Sequence, residues 1–324
     1  KLLRINNYAF GTTPSLTELE FSNCTKFVYI TANGLSGGAS VNPFIPGAGK
    51  KNSELKKITL NSKTAEIGTA LANLAALTTV NLSSTEVTDI VDDAFANDAA
   101  LTELSFPNTL VTVAGSPFAG CAKLATLTFD AKVLTALGGG TDNLYGVLAD
   151  YEDAAGLANG LKALKTLKIT GDVAATCALT ANAFKTCTAL KTVEIGKNKT
   201  VDPKLFETGF ATVCDEAAVT LGEITGNDFG AAAFLAAPAD GPGVKGVTLT
   251  IEKISVAIAN EIMSGKVATT VSGAISKAVT LDALGKTATS LTFGGNITAG
   301  FGAYSATNAQ LTSIDFGSVE LFYD

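Results

Sequence analysis

The sequence predicts a repeat solenoid, mostly β with short helical or irregular turns, elongated and curved, running as one body over residues 1–324. Three observations predict it. A six-residue phrase of the form L-x-x-[LIV]-x-[FLI] occurs nine times, several copies lie 22 to 26 residues apart, and an apolar anchor precedes several of them by six residues. A fixed period of this length marks stacked supersecondary units, none of which can bury its apolar face alone.

The phrases are LTELEF (16–21), LKKITL (55–60), LTTVNL (77–82), LTELSF (101–106), LATLTF (124–129), LKTLKI (164–169), LKTVEI (190–195), ATSLTF (288–293) and LTSIDF (311–316). The alternating tail has the period of two expected of a strand with one buried face, and the leading Leu, three residues earlier, anchors the turn that enters it. Leu104 and Phe106 are therefore expected to point into a shared core. The residue between each buried pair faces outward, which predicts a ladder of Glu20, Thr59, Asn81, Ser105, Thr128, Lys168, Glu194, Thr292 and Asp315. This ladder is polar and has no aromatic platform on which a sugar or base could stack. A dozen strands at ~4.8 Å spacing would extend to roughly 60 Å, with unpaired edges at both ends that need caps.

The upstream anchors are Phe10, Leu71, Phe95, Phe118 and Phe184, and midway to the phrase stands a small residue: Thr13, Asp98, Cys121 or Cys187, with Cys24 similarly placed before Phe27 and Ile30. The fuller copies read AFANDAALTELSF, PFAGCAKLATLTF and AFKTCTALKTVEI, and Val/Ile/Leu-rich stretches such as 110–113 and 133–137 follow. This pattern, A-F-x-x-C-x-x-L-x-x-[LIV]-x-F, resembles the BspA-like family of leucine-rich repeats, most specifically at 94–129 and 183–195. The resemblance implies a right-handed leucine-rich-repeat superhelix of the α/β class. It also implies secreted or outer-surface proteins of gut and oral bacteria that act in adhesion, host-protein binding or co-aggregation.

Three stretches break the period: 31–50, which is Gly/Pro-rich, 131–156, which lengthens the step between phrases to 40 residues, and 222–246, after which Val247, Leu249 and Ile251 resume a strand. Insertions in solenoids become loops on one face, often the binding face. The 131–156 loop is the candidate, because it gathers Asp142, Tyr145, Asp150, Tyr151, Glu152 and Asp153; a longer turn with solvated carboxylates is the alternative. Further on, Ile254, Ile258 and Ile262 recur at helical spacing, which predicts a short amphipathic helix in place of one strand-turn unit.

Composition removes several chemistries. Charged residues make up 16% and the formal net charge is −7, so no basic field is present to attract nucleic acid. There is no His, which excludes imidazole-activated nucleophiles and His metal ligation, and Arg4 is the single arginine. The five cysteines (Cys24, Cys121, Cys177, Cys187, Cys214) form no C-x-x-C pair. They are expected to be buried thiols filling turns, with a Cys177–Cys187 pair as the alternative. At 47–53, GAGKKNS has Phe44 where a phosphate loop needs its first Gly, and a plain loop is expected. The carboxylate groups Asp92/Asp93, Asp150/Glu152/Asp153 and Asp215/Glu216 lack a calcium-loop spacing; they read as surface charge, the second group being the nearest to a metal site. No metal and no cofactor is expected. The sequons at Asn23, Asn81, Asn198 and Asn296 are of a kind that arises by chance.

The longest apolar stretch, 229–239, is broken by Gly230 and Pro238 and is shorter than the roughly 20 residues of a membrane span. A chain that opens at Lys1 without an initiator Met is consistent with removal of a signal peptide or lipid anchor. The expectation is a monomeric, non-enzymatic cell-surface or secreted protein that presents its repeat surface to a protein or glycan on host or neighbouring cells. A structural spacer is the alternative, and a carboxylate-dependent hydrolase is a remote third.

Overall fold

Each repeat phrase becomes a short strand, and the strands pair in parallel. The computed structural model describes residues 10, 13, 15–24, 54–113, 117–133, 161–175, 177, 189–202, 217–227, 247–258, 262, 266–285, 288–299, 301–302 and 311–317. The chain divides into two units, Lys1–Leu164 and Lys165–Asp324.

In the first unit the phrases give β1 (Glu18–Glu20), β2 (Lys57–Thr59), β3 (Thr79–Asn81), β5 (Glu103–Ser105) and β7 (Thr126–Asp130), while β4 (Asp89–Ile90) and β6 (Thr112–Val113) lie in the return segments. The main sheet runs β1-β2-β3-β5-β7, all parallel, and β4 pairs with β6 in a second parallel ladder. The register places equivalent residues side by side: Ile58 against Val80, Val80 against Leu104, Leu104 against Leu127. These four are at most 4% exposed, and the leading Leu55, Leu77, Leu101 and Leu124 are fully buried. The tails Leu60, Leu82, Phe106 and Phe129 and the anchors Leu71, Phe95 and Phe118 complete the interior. Phe95 and Phe118 stack with centroids 5.9 Å apart, at the offset geometry that adds to the gain from burial alone.

The coils are also joined outside the strands. Thr102 Oγ1 donates to the carbonyl of Thr78 at 3.0 Å, and Thr78 Oγ1 to that of Lys56 at 3.3 Å, so the Thr after the leading Leu stitches one coil to the one before. At the turn, Asn73, Asn97 and Gly120 occupy one position with φ of 61°, 64° and 77°. Asn and Gly are the residues that tolerate this left-handed conformation, and Asn97 Nδ2 also donates to Asn73 Oδ1 at 3.1 Å.

The second unit holds β8 (Thr166–Thr170), β9 (Thr192–Val201), β10 (Ala218–Ile224), β11 (Val247–Ile254), β12 (Lys266–Val271), β14 (Ser290–Phe293) and β16 (Ser313–Asp315), again parallel and in chain order. A second pair is made by β13 (Val279–Thr280) with β15 (Phe301–Gly302), and α1 (Leu281–Gly285) is the one α-helical segment among the described residues. At the C-terminal ends of the strands and in the segments just beyond them a further apolar file runs Val173, Val201, Ile224, Ile254, Ile275, Ile297, each in parallel register with the next and none above 4% exposed.

Three expectations are corrected here. The four-residue spacing of Ile254, Ile258 and Ile262 does not mark a helix: Ile254 closes β11, Ile258 bridges Val279, and the Ile262 N–H donates to Ala283. Ile254, Ile258 and Ile262 are each buried against a neighbouring coil, as one face of a helix would be, which is why the spacing misled. The break assigned to 222–246 starts too early, because 222–224 belong to β10. Likewise, Ala131 and Val133, assigned to the 131–156 insertion, form a buried 3-10 turn that completes the coil of β7.

Candidate binding face

In a parallel stack the residue between two buried neighbours repeats at every strand, so the outward face is a grid rather than a cleft. In the first unit one file is Glu20, Thr59, Asn81, Ser105 and Thr128, and the file beside it is Glu18, Lys57, Thr79, Glu103 and Thr126. None of these ten is buried. A groove of about 630 Å³ lies over β1 to β3, lined among others by Glu18, Glu20, Lys57, Thr59, Thr79 and Asn81. Hydrogen bonds from Ser22 and Thr59, with a smaller effect of the Lys57 charge, hold the Glu20 carboxyl below the usual carboxylate range. The groove therefore presents fixed negative charge at β1, the Lys57 cation beside it, and neutral hydroxyl and amide groups beyond.

In the second unit the corresponding file is Lys168, Glu194, Thr220, Thr250, Thr270, Thr292 and Asp315. All nine residues expected on the outward ladder occupy that position. Thr220, Thr250 and Thr270 were missed, because β10, β11 and β12 lack the leading Leu of the phrase. The surviving signal was the triplet V-x-L, L-x-I or T-x-V. In β12 even that is masked by Thr269, a buried polar residue whose hydroxyl donates to the Leu284 carbonyl at 2.6 Å. The file beside it, Thr192, Ala218, Thr248, Ala268, Ser290 and Ser313, is small and uncharged.

A second groove, of about 490 Å³, lies in this unit around the bulge of β9. Its polar groups serve one another. Asp172 Oδ1 accepts from the Thr200 N–H at 3.0 Å and hydroxyl at 2.9 Å, the Asn198 N–H donates to Glu252, and Lys253 pairs with Glu223 at 3.0 Å while Ser255 donates to the same carboxylate. Those bonds hold the Glu223 carboxyl below its ordinary range, Ser255 contributing most.

The other sequence candidates are placed as follows. Asp142, Tyr145, Asp150, Tyr151, Glu152 and Asp153 lie outside the described residues, as do 31–50, Asp215, Glu216, Cys187 and Cys214. Asp92 and Asp93 are exposed neighbours on a turn, and partial burial together with the Asp92 charge raises the Asp93 carboxyl. Cys121 is a buried free thiol and Cys24 a half-buried one. Among the described residues no helix is long and apolar enough to cross a membrane.

Coils of this length, with an L-x-x-L-x-L strand phrase, a stitched turn and a parallel ladder on one face, define a leucine-rich-repeat protein. More narrowly, residues 48–138 match in six copies the family described as BspA type leucine rich repeat region. Among solved structures, the chain is similar to an internalin (inlF) from Listeria monocytogenes, at 16% identity, 84% coverage of both chains and a TM-score of 0.29. It is also similar to a leucine-rich repeat protein from Bacteroides ovatus, at 12% identity, 97% coverage of this chain, 79% of the other and a TM-score of 0.26. Comparison with curated proteins finds no match.

Proposed function

We propose that this chain is a non-catalytic binding protein of the bacterial surface or secreted space, and that the outward face of its first unit docks a protein on a host or neighbouring cell. The observation that carries the reading is the groove over β1 to β3. There six side chains of mixed charge and hydrogen-bonding type are held in register by a buried sheet, at the edge of the BspA-type stretch. Preorganised polar groups of both signs select a partner by complementarity, and many equivalent weak contacts become strong when copies are displayed together. The 131–156 insertion, with Tyr145 and Tyr151, is proposed as an accessory contact.

The test couples the purified chain at high density to beads and offers it host surface glycoproteins, the same proteins stripped of glycan, and a glycan array. Capture of a deglycosylated protein, weakened at least tenfold by the pair Lys57→Glu and Asn81→Arg at unchanged thermal midpoint, is the expected result. Binding to glycan alone, or no change in that variant, removes the reading. The plain Thr- and Ala-bearing face of the second unit favours a spacer role for that unit, so Thr250→Lys should leave capture unchanged.

A further inference from the structure

The turn that enters β5 buries a carboxyl where the neighbouring coils place Leu74 and Cys121. Asp98 is fully buried. Its Oδ1 accepts the Leu74 N–H of the preceding coil at 2.7 Å, and its Oδ2 has no hydrogen-bond partner. On the following coil, the Cys121 thiol donates to the Phe95 carbonyl at 3.1 Å. The Asp98 side chain thus joins one coil to the next within the apolar interior, with one satisfied oxygen and one orphan.

We propose that Asp98 is a proton-operated lock on the turns of the first unit, joining them as a neutral acid and loosening them when its proton is lost. A buried carboxylate with a single N–H partner is an uncompensated charge, whereas the neutral acid keeps the Leu74 bond without that penalty. No charged side chain among the described residues acts on it. The titratable group that faces it is Cys121 of the following coil, and the preceding coil faces it with uncharged Leu74; Asp92, Asp93 and Lys123, on the same turns, are exposed. Burial pushes the Asp98 carboxyl up to about 9, and burial, followed by the Asp98 charge, pushes the Cys121 thiol up to about 12.

The sign follows from linkage. The folded state holds a proton that the unfolded state has released, so this site's contribution is fully present below about pH 4 and declines as pH rises to about 9. From about pH 9 down to about pH 4 this site should therefore add stability as pH falls, the reverse of a paired carboxylate.

The test measures urea unfolding of the full chain and of Asp98→Asn, the neutral isostere, at intervals between about pH 4 and pH 10. The ratio of the two unfolding constants should change about tenfold per pH unit up to about pH 9, reaching a hundred- to thousandfold near neutrality in favour of the variant, and then level off. A constant ratio overturns the proposal. Should Asp98→Asn not fold, carboxyl carbon resonances of aspartate-labelled wild-type protein decide: one is expected to stay at its acid position at pH 7 and titrate near 9. Titration of every aspartate below about pH 6 overturns it.

Discussion

Gly222→Ala adds one methyl group at the tightest backbone approach among the described glycines of the second unit. Its Cβ would sit 1.9 Å from the Gly196 oxygen and 2.3 Å from the Lys199 oxygen, both main-chain atoms that cannot rotate away. The β9 bulge must then lift by more than an ångström. At stake are the two Thr200 bonds to Asp172, the Asn198 bond to Glu252 and the Val173 N–H to the Thr200 carbonyl at 2.9 Å. At about 1 kcal/mol for each of the four bonds weakened, plus 1–3 kcal/mol for overpacking, less about 0.7 kcal/mol because Ala stiffens the unfolded chain, the net loss is roughly 5 kcal/mol. Gly294→Ala is the control, since its Cβ would meet a single oxygen, that of Ser272, at 3.2 Å. It should fall within about 0.5 kcal/mol of the parent. Urea unfolding gives the energies, and amide hydrogen exchange over 192–201 gives the location. Equal midpoints for the two variants, or unchanged exchange in Gly222→Ala, would refute the argument from close approach.

Other expectations follow from the same geometry. Leu104→Ala removes a fully buried side chain and should destabilise by about 3 kcal/mol, while Ser105→Ala, one residue on and facing outward, should stay within about 0.5 kcal/mol by chemical denaturation. Asn97→Ala loses the bond to Asn73 at a φ of 64°, and should cost about 1–2 kcal/mol, whereas Asn97→Gly recovers the backbone part and should melt above it. Asp89 carries a carboxyl held low by hydrogen bonds from Thr112 and then Thr88. Its contribution is present above the unfolded value of 3.8 and is lost as pH falls through the lower folded value, so Asp89→Asn should flatten the thermal midpoint profile on the acid side only.

The buried file was legible because its chemistry is repetitive: Leu, Val or Ile must recur wherever coils share one interior, and one substitution there costs several kcal/mol. The corner file was not. Val173, Val201, Ile224 and Ile254 lie at varying distances beyond the last inward residue of the repeat phrase or triplet, since β9 inserts a bulge between Ile195 and Val201 that β10 lacks. A variable spacer destroys a period without disturbing the packing it serves, so the sequence shows apolar residues there and no rule for aligning them. For Ile254, Ile258 and Ile262 the misreading has a different origin, because residues buried four apart against a neighbouring coil match the spacing of a helix face.

The outward face divides in the same way. Placing Glu20, Thr59 and Asn81 on it needed only the period of two, but deciding that they form a groove with Lys57 and Thr79 needed the register between coils, which turn lengths set. Asp98 marks a further limit. Three successive coils place Leu74, Asp98 and Cys121 at one position, and apolar patterning treats them all as fillers of a small gap. Only the stacking of the coils shows that the middle one sits beneath a backbone N–H of one coil with its second oxygen unanswered. A solenoid tolerates this because each coil bears only on its neighbours, so a charge-prone residue in one turn strains two junctions and leaves the remaining coils as they were.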